Sequence, residues 1–199
     1  EAIDRIVGQV AGGTANVQDI YPLGPLQAGM LYHHLASEGE AAYVLEVRFL
    51  LADRGRLQAL HRALDQVIER NDILRSAFHW DGLAEPVQVV WRRAPLDVVQ
   101  EGDAIEPRRF DLPRAPLLRL VHRTEPSTGR ISATLLFHHL VMDHVALEVL
   151  RSELQACLLE QAHALPAAVP YRNYIAQLQR GPGEAAHEAF FREQLADID

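Results

Sequence analysis

The chain has 199 residues, 48% of them hydrophobic and 23% charged, which suits one or two compact globular units. Its net charge is -8 with acidic and basic residues interleaved, so it lacks the clustered Lys/Arg footprint of a nucleic-acid-binding protein. No apolar run is long enough to span a bilayer, and the one cysteine, Cys157, excludes a disulfide within the chain and suits a cytoplasmic protein.

Periodicity predicts three helices and three strands in the first half of the chain. Pro25 suits the first turn of a helix, where no N–H is needed. Apolar residues at helical spacing, from Leu57 to Ile68, indicate an amphipathic helix, and Asp81-Gly82 predicts the turn of a hairpin. In chain order the elements are a helix at 2–10, a helix at 25–36, a strand at 43–51, a helix at 53–71, and strands at 73–80 and 86–91.

The second half begins with residues 94–115, which are rich in Pro, Arg and Asp and are predicted to be irregular. A second hairpin and three helices follow. Cys157 lies on the apolar stripe of the first of these helices, which favours packing over a catalytic thiol. In chain order we predict strands at 116–124 and 130–138, a long helix after Asp143, and helices at 171–179 and 184–195.

Strands and helices therefore follow one another in mixed order, without a regular βαβ repeat. This order predicts an α/β (α+β) fold in which a mixed sheet is covered by helices. No glycine-rich phosphate loop follows a predicted strand, so the sequence does not support nucleotide binding.

Four polar residues lie within seven positions, directly after the apolar segment 133–137: His138, His139, Asp143 and His144. Side chains alternate across a strand, so the two adjacent imidazoles should point to opposite faces of the sheet. Only one of the two histidines is therefore expected to face a given substrate.

Residue types alone leave three interpretations of this segment open. In the first, the histidines are hydrogen-bonded core residues and Asp143 is the N-cap of the next helix. In the second, His139, His144, Asp143 and a distant residue bind a metal ion, although the sequence shows no other cluster of ligand types. In the third, one histidine acts as a general acid–base catalyst, because a neutral imidazole can accept a proton at cytoplasmic pH.

The segment resembles the HHxxxDG signature of condensation domains from non-ribosomal peptide synthetases. Three other segments resemble further motifs of that family in the correct order: the first motif with Pro-Leu-Gln-x-Gly-Met-Leu, the second motif RHExLRTxF, and the stretch FDLxxxPLLR. Together the four segments cover about residues 20 to 150. They are Tyr21–Leu31, Arg70–Phe78, Phe110–Leu112 with Pro116–Arg119, and His138–His144.

The resemblance implies one lobe of a chloramphenicol-acetyltransferase-like fold, in which two similar lobes form a V. Residues 17–170 are similar to the N-terminal lobe, and the family's second-lobe motifs are absent from the chain. Residues 1–16 resemble the linker that follows an upstream carrier protein. Residues 171–199 are expected to form the helical segment that leads toward the C-terminal lobe.

The resemblance also implies an activity, amide bond formation between two thioesters. The amine of an acceptor aminoacyl thioester attacks the carbonyl of a donor acyl or peptidyl thioester. Both substrates are expected on phosphopantetheine arms of an upstream donor and a downstream acceptor peptidyl carrier protein, so no cofactor is expected to bind the domain directly. An adenylation domain of the same synthetase is a further expected partner, and a single lobe is expected to be inactive alone.

Roles for the motif residues follow from the same resemblance. His139, the second motif histidine, should accept a proton from the attacking amine or hold the amine by a hydrogen bond. His138 is expected to be structural. Asp143 is expected to pair with an arginine of the second motif, Arg70 in preference to Arg75, and no metal ion is expected.

His144 is the one clear departure from the family pattern, which usually has Gly there. We interpret it as a variant within the family or as a mark of altered chemistry.

Two other functions stay open, an epimerisation domain of the same fold and a non-catalytic docking platform for carrier proteins. The Gln-Ala-Gly-Met-Leu form of the first motif favours condensation. Tyr21 and Gln27 are expected in packing and helix-start positions, and His33-His34 in surface or packing roles.

Overall fold

The computed structural model describes residues 2–36, 43–102, 109–181 and 184–196. All the α-helices in these ranges lie within one or two residues of their predicted positions. None of them combines the length and the apolar content that crossing a membrane requires. The helices are α1 (Ala2–Gln9), α2 (Pro25–Ala36), α3 (Arg54–Arg70), α4 (His144–Leu158), α5 (Tyr171–Gln179) and α6 (Glu184–Gln194).

The strands form two sheets. The larger has the order β2-β7-β6-β5, with β5 parallel to β6 and the other pairs antiparallel, so the predicted mixed sheet is confirmed. The smaller sheet, β1-β4-β3, is antiparallel; its β3-β4 pair is the first predicted hairpin, but β1 and the division into a second sheet were not predicted. The strands are β1 (Val17–Pro22), β2 (Val44–Leu51), β3 (Ser76–His79), β4 (Val87–Trp91), β5 (Asp97–Gln100), β6 (Leu118–Thr124) and β7 (Ile131–His138).

The main core lies between the larger sheet and the helices α3 and α4. Helix α3 begins at an N-cap, because the Asp53 carboxylate accepts a hydrogen bond from Arg56 N–H at 2.9 Å. Its buried apolar side chains recur every three or four residues, and each fully buried leucine stabilises the fold by about 1.5–3 kcal/mol. These side chains are Leu57, Leu60, Ala63, Leu64, Val67 and Ile68.

A second, smaller core lies against the β1-β4-β3 sheet, where α1 and the residue after it bury Ile6 and Val10. The chain then turns at Gly12 and Gly13, whose φ angles of 88° and 60° lie in the region that favours glycine. The described part of segment 1–16 therefore packs on the lobe. Its role as a linker after a carrier protein stays a prediction.

Two strands differ from the predictions. Strand β1 lies where no element was predicted, and β5 lies inside the segment 94–115, which was expected to be irregular. Strand β5 has only four residues at the edge of its sheet, so it is too short to show an alternating pattern. Both predicted hairpins are confirmed, although a 3-10 turn at Asp72–Arg75 replaces the first residues of the strand expected at 73–80.

Candidate active site

The segment with the two histidines leaves the larger sheet at the end of β7 and enters α4 at His144. Strand β7 lies between β2 and β6, so partners on both sides hold its end. His138 N–H donates to Leu117 O at 3.0 Å, and His139 N–H donates to Tyr43 O at 2.8 Å. Residues 139–143, which we name the catalytic-motif connection, are therefore held in place where they leave the sheet.

His138 lies inside the lobe and is 1% exposed. Its Nδ1 accepts a hydrogen bond from Leu140 N–H at 3.2 Å, so the neutral ring carries its proton on Nε2. The rings of His34 and Tyr43 lie against it, with centroids at 5.3 and 6.1 Å. Burial, and then the nearby His34 and His139, lower the pKa of His138 to about 3, so this imidazole is neutral at physiological pH.

His139 is half-buried and faces a cavity of about 460 Å³. Its Nδ1 lies 2.9 Å from Met142 O. A carbonyl oxygen can only accept, so this hydrogen bond requires a proton on Nδ1 and leaves a lone pair on Nε2 of the neutral ring. The two adjacent imidazoles thus lie in different environments, in keeping with strand alternation. The cavity is lined by Val44, Leu45, Glu46, Phe137, His139, Asp143, His144 and Leu147.

Asp143 is the N-cap of α4, because its carboxylate accepts a hydrogen bond from Ala146 N–H at 2.7 Å. The predicted ion pair between Asp143 and Arg70 is wrong. Arg70 Nε instead donates to Glu153 Oε1 at 2.8 Å. Glu153 lies about 15 Å further along α4 than the cap, at 1.5 Å per residue, so an arginine bound there is out of reach of Asp143.

Arg75, the other arginine of the second motif, does not bind Asp143 either. It is 6% exposed and donates to Ile68 O at 3.1 Å, to Gln18 Oε1 at 2.9 Å, and to Trp91 O. These bonds join the end of α3 to the smaller sheet. Both arginines of the second motif therefore hold the lobe together, and neither contacts the Asp143 carboxylate.

His144, the departure from the family pattern, is the first residue of α4 and lines the same cavity as His139. Among the non-glycine residues that the structure describes, only Glu160 has a positive φ. The backbone at His144 is therefore one that any residue adopts, and the position does not demand glycine. The consequence of a histidine at this position is for the cavity, whose lining includes the imidazole of His144 as well as that of His139.

Two contacts with the segment were not predicted from the sequence. His34 packs edge-on against His138, and its Nδ1 is buried without a hydrogen-bond partner in the described part of the chain. Gln27 makes the expected helix-start bond, since its Oε1 accepts from Gly24 N–H at 2.9 Å, but its Nε2 also donates to Leu140 O at 3.1 Å. Both contacts join positions far apart in the sequence, so no local pattern could indicate them.

Helix α5 is anchored near the start of α2. Tyr171 N–H lies 3.0 and 3.1 Å from the two carboxylate oxygens of Asp72, and Ile175 is 2% exposed where it packs against the turn at Gly24. Tyr21 has a buried hydroxyl beside Asp72, and burial, with a smaller contribution from Asp72, raises its pKa. Helix α5 therefore packs on the lobe.

Two other features bear on where the chemistry lies. No three His, Cys, Asp or Glu side chains in the described ranges come together as a metal site requires, so the metal interpretation gains no support from the geometry. A larger groove, of about 570 Å³, lies on the face of the larger sheet turned away from α3, but none of the motif histidines lines it. The cavity at His139 is where the polar groups of the motif meet.

Comparison with known proteins agrees with the motifs. The family model described as Condensation domain matches residues 17–198. Malpinin synthetase of Mortierella alpina is 42% identical over 212 residues, and malpibaldin synthetase of the same organism is 40% identical over 213 residues. Gramicidin S synthase 2 of Brevibacillus brevis is 27% identical over 207 residues. These matches cover 99%, 99% and 92% of this chain, which spans only 3%, 4% and 5% of the length of the three relatives.

Solved structures share the fold. A mutant starter condensation domain of the rhizomide synthetase RzmA, in a product-released conformation, has a TM-score of 0.69 at 16% identity over 100% of this chain and 48% of that one. A four-domain nonribosomal peptide synthetase bound to AMP and glycine has a TM-score of 0.60 at 17% identity over 71% of this chain and 12% of that one. At these identities the likeness shows the fold alone.

Proposed function

The chain belongs to the condensation-domain family, and from this premise we propose that it is the histidine-bearing lobe of a domain that forms amide bonds in a non-ribosomal peptide synthetase. The donor is an acyl or peptidyl thioester on an upstream carrier protein, and the acceptor is an aminoacyl thioester on a downstream one. Each is held by a phosphopantetheine arm, and an adenylation domain works in the same cytoplasmic synthetase. The observation that carries the proposal is the 2.9 Å contact of His139 Nδ1 with Met142 O, which leaves Nε2 as the proton-accepting nitrogen of a ring that lines the cavity.

The reaction forms one bond, breaks one bond and moves one proton from the acceptor nitrogen to the departing sulfur. The acceptor nitrogen bonds to the donor carbonyl carbon, the carbon–sulfur bond breaks, and the donor arm leaves as a thiol. His139 Nε2 accepts the proton that the nitrogen loses, and the departing sulfur takes it up, while Met142 O holds the ring through Nδ1. Because a thioester is already activated, the correct placement of the two reactants can supply much of the remaining acceleration.

His138 and Asp143 support this arrangement through the backbone. His138 Nδ1 binds Leu140 N–H at one end of the catalytic-motif connection, and Asp143 starts α4 at the other. His144 occupies space in the same cavity, and we assign it to variation within the family. Neither His138 nor Asp143 needs to exchange a proton with substrate in this scheme.

The proposal is tested by single-turnover amide formation in the complete condensation domain, with loaded donor and acceptor carriers and product detection by mass spectrometry. His139→Ala should lower the rate by about 10²–10⁴-fold, the range for the loss of a general base. The control His163→Ala removes an exposed histidine of the turn Ala162–Ala164, outside the cavity, and should leave the rate unchanged.

Three outcomes would contradict the proposal. A wild-type rate of amide formation in His139→Ala would show that His139 is not the proton acceptor. Exchange of the α-carbon proton without amide formation would instead indicate the epimerisation domain. Carrier binding with neither reaction, in the complete domain, would indicate the docking platform.

A further inference from the structure

Two buried glutamine side chains face each other beside the catalytic-motif connection. Gln27 is 4% exposed and Gln88 is 0% exposed. Gln88 Nε2 donates to Gln27 Oε1 at 3.1 Å, and Gln27 Nε2 donates to Gln88 Oε1 at 3.4 Å. Gln88 Nε2 also donates to Pro22 O at 3.0 Å, and Gln27 Nε2 to Leu140 O at 3.1 Å. Both amides thus use both of their N–H donors, as buried polar groups generally require.

Gln27 is the member of the pair that reaches the connection. It is the third residue of α2, and its Oε1 accepts a hydrogen bond from Gly24 N–H at 2.9 Å. A helix-start role explains this bond to Gly24. It does not explain why the other end of the amide is buried against Leu140 O, 113 positions away in the sequence.

Leu140 directly follows His139, and both of its backbone polar groups are bound by side chains. Its N–H donates to His138 Nδ1 at 3.2 Å, and its carbonyl accepts from Gln27 Nε2 at 3.1 Å, so side chains hold it on both sides. The chain then turns back, which brings Met142 O to 2.9 Å from His139 Nδ1. The position of the Met142 carbonyl therefore depends on a turn that passes through Leu140.

We propose that Gln27 is a positioning residue for His139. Its amide holds the Leu140 carbonyl and so keeps the Met142 carbonyl on Nδ1 of the imidazole, which leaves Nε2 unprotonated in a ring that lines the cavity. This role rests on the proposed function, because Gln27 maintains the proton-accepting side of His139. A displacement of about 1 Å at such a group can cost about 10²-fold in rate.

The experiment uses the complete condensation domain and two substitutions. Gln27→Met removes both amide donors at a similar side-chain length. Gln27→Glu keeps an oxygen for Gly24 N–H but, once ionised, has no donor for Leu140 O. Each should lower kcat for amide formation by about 10- to 100-fold, with KM for the loaded carriers within about threefold of wild type. Imidazole ¹⁵N NMR should show that His139 changes from one Nδ1–H tautomer to a mixture.

Asn16→Leu is the matched control. Asn16 also uses a side-chain amide to bind two backbone carbonyls, Ala11 O at 2.8 Å and Arg93 O at 3.1 Å, but it does not contact the connection. This variant should unfold at a lower temperature and keep the wild-type kcat and His139 tautomer. The comparison separates a loss of stability from a loss of positioning.

The proposal is overturned if both Gln27 variants keep the wild-type kcat and tautomer, or if their kcat falls only as far as the folded fraction falls. His139→Ala distinguishes this result from a failure of the proposed function. A wild-type rate in His139→Ala would contradict the proposed role of His139 in amide formation. The tautomer of His139 in the Gln27 variants would still decide whether Gln27 positions the ring.

Discussion

Two polar regions of the lobe use their side chains in opposite ways. At the junction of α3 and α4, charged and amide groups bind one another: Glu153 accepts from Arg70 Nε at 2.8 Å and from Asn71 Nδ2 at 2.6 Å. In the catalytic-motif connection the polar side chains bind backbone groups, and His139 lines the cavity together with His144, the residue after the connection. The difference separates side chains that hold the lobe together from side chains that a substrate can reach.

This comparison changes the interpretation of the second motif. One of its arginines, Arg70 in preference to Arg75, was expected to pair with Asp143, but Arg70 binds Glu153 and Arg75 binds the ends of neighbouring elements. We therefore expect substitutions at the α3–α4 junction to lower stability without changing the reaction of the molecules that remain folded. Substitutions in and next to the catalytic-motif connection should have smaller effects on stability, and among them His139→Ala should change the reaction itself.

Glu153→Ala should have the largest effect on stability. The Glu153 side chain is 10% exposed, and its removal leaves Arg70 Nε without its acceptor and takes one of two acceptors from Asn71 Nδ2, which keeps Val67 O. Loss of one partner of a buried ion pair costs about 3–5 kcal/mol. Arg70 is 21% exposed and keeps a bond to Pro166 O, so we expect about 3 kcal/mol in urea unfolding, at the low end of that range.

The control for this substitution is on the same helix. Glu148 forms an exposed ion pair with Arg151 at 3.1 Å, and an exposed pair of this kind contributes about 0.3–0.5 kcal/mol. Glu148→Ala should therefore change the free energy of unfolding very little. If Glu153→Ala loses no more stability than Glu148→Ala, the junction does not hold the two helices together and the comparison fails.

The next prediction concerns His138, the buried histidine directly before the catalytic-motif connection. The pKa of His138 is about 3 in the folded lobe and about 6.5 in an unfolded chain. Above pH 6.5 both states are neutral. As the pH falls from 6.5 toward 3, only the unfolded state binds the proton, so the free energy of unfolding falls by about 1.4 kcal/mol per pH unit, or about 2 kcal/mol at pH 5. Below the folded pKa the loss stops.

The pH dependence is measured by urea unfolding of wild type and His138→Asn from pH 7 to pH 5. Asparagine removes the titration and keeps an oxygen that can accept from Leu140 N–H. Burial also lowers the pKa of His34 and, with an opposing effect of Asp111, that of His79, but these groups titrate in both proteins. The difference between the two curves therefore isolates His138, and parallel curves would show that its burial is not linked to folding.

Elements with a local signal could be predicted from the sequence. Helix α3 carries its cap, Asp53, and its apolar stripe in one continuous segment, and Asp81-Gly82 marks the turn between β3 and β4. Strand β5 has no such signal, because its four residues become a strand only where β6 lies alongside them. Strand β1 likewise depends on its pairing with β4, which lies far along the chain.

In the candidate site, too, local features could be predicted from the sequence and contacts between distant positions could not. Alternation along β7 was enough to place His138 and His139 in different environments, because it depends only on neighbouring residues. The partner of Arg70 could not be predicted, since Glu153 lies on another helix, 83 positions away, and nothing local distinguishes it from the other acidic residues. The contact of Gln27 with Leu140 is of the same kind, with a separation of 113 positions.

The smallest expected effect on stability lies at Asp143, the last residue of the catalytic-motif connection, and it distinguishes a cap from an ion pair. Asp143→Ala removes the acceptor for Ala146 N–H and should lower the free energy of unfolding by about 1 kcal/mol. Asp143→Asn keeps a side-chain oxygen in the same place and should lose less than about 0.5 kcal/mol, since Asn and Asp are similar N-caps. An ion pair would penalise both variants, because both lose the charge, so equal losses in urea unfolding at pH 7 would contradict the cap. If the cap is what Asp143 contributes, Asp143→Asn should also form amide at the wild-type rate in the complete domain, because α4 would still begin at the edge of the cavity.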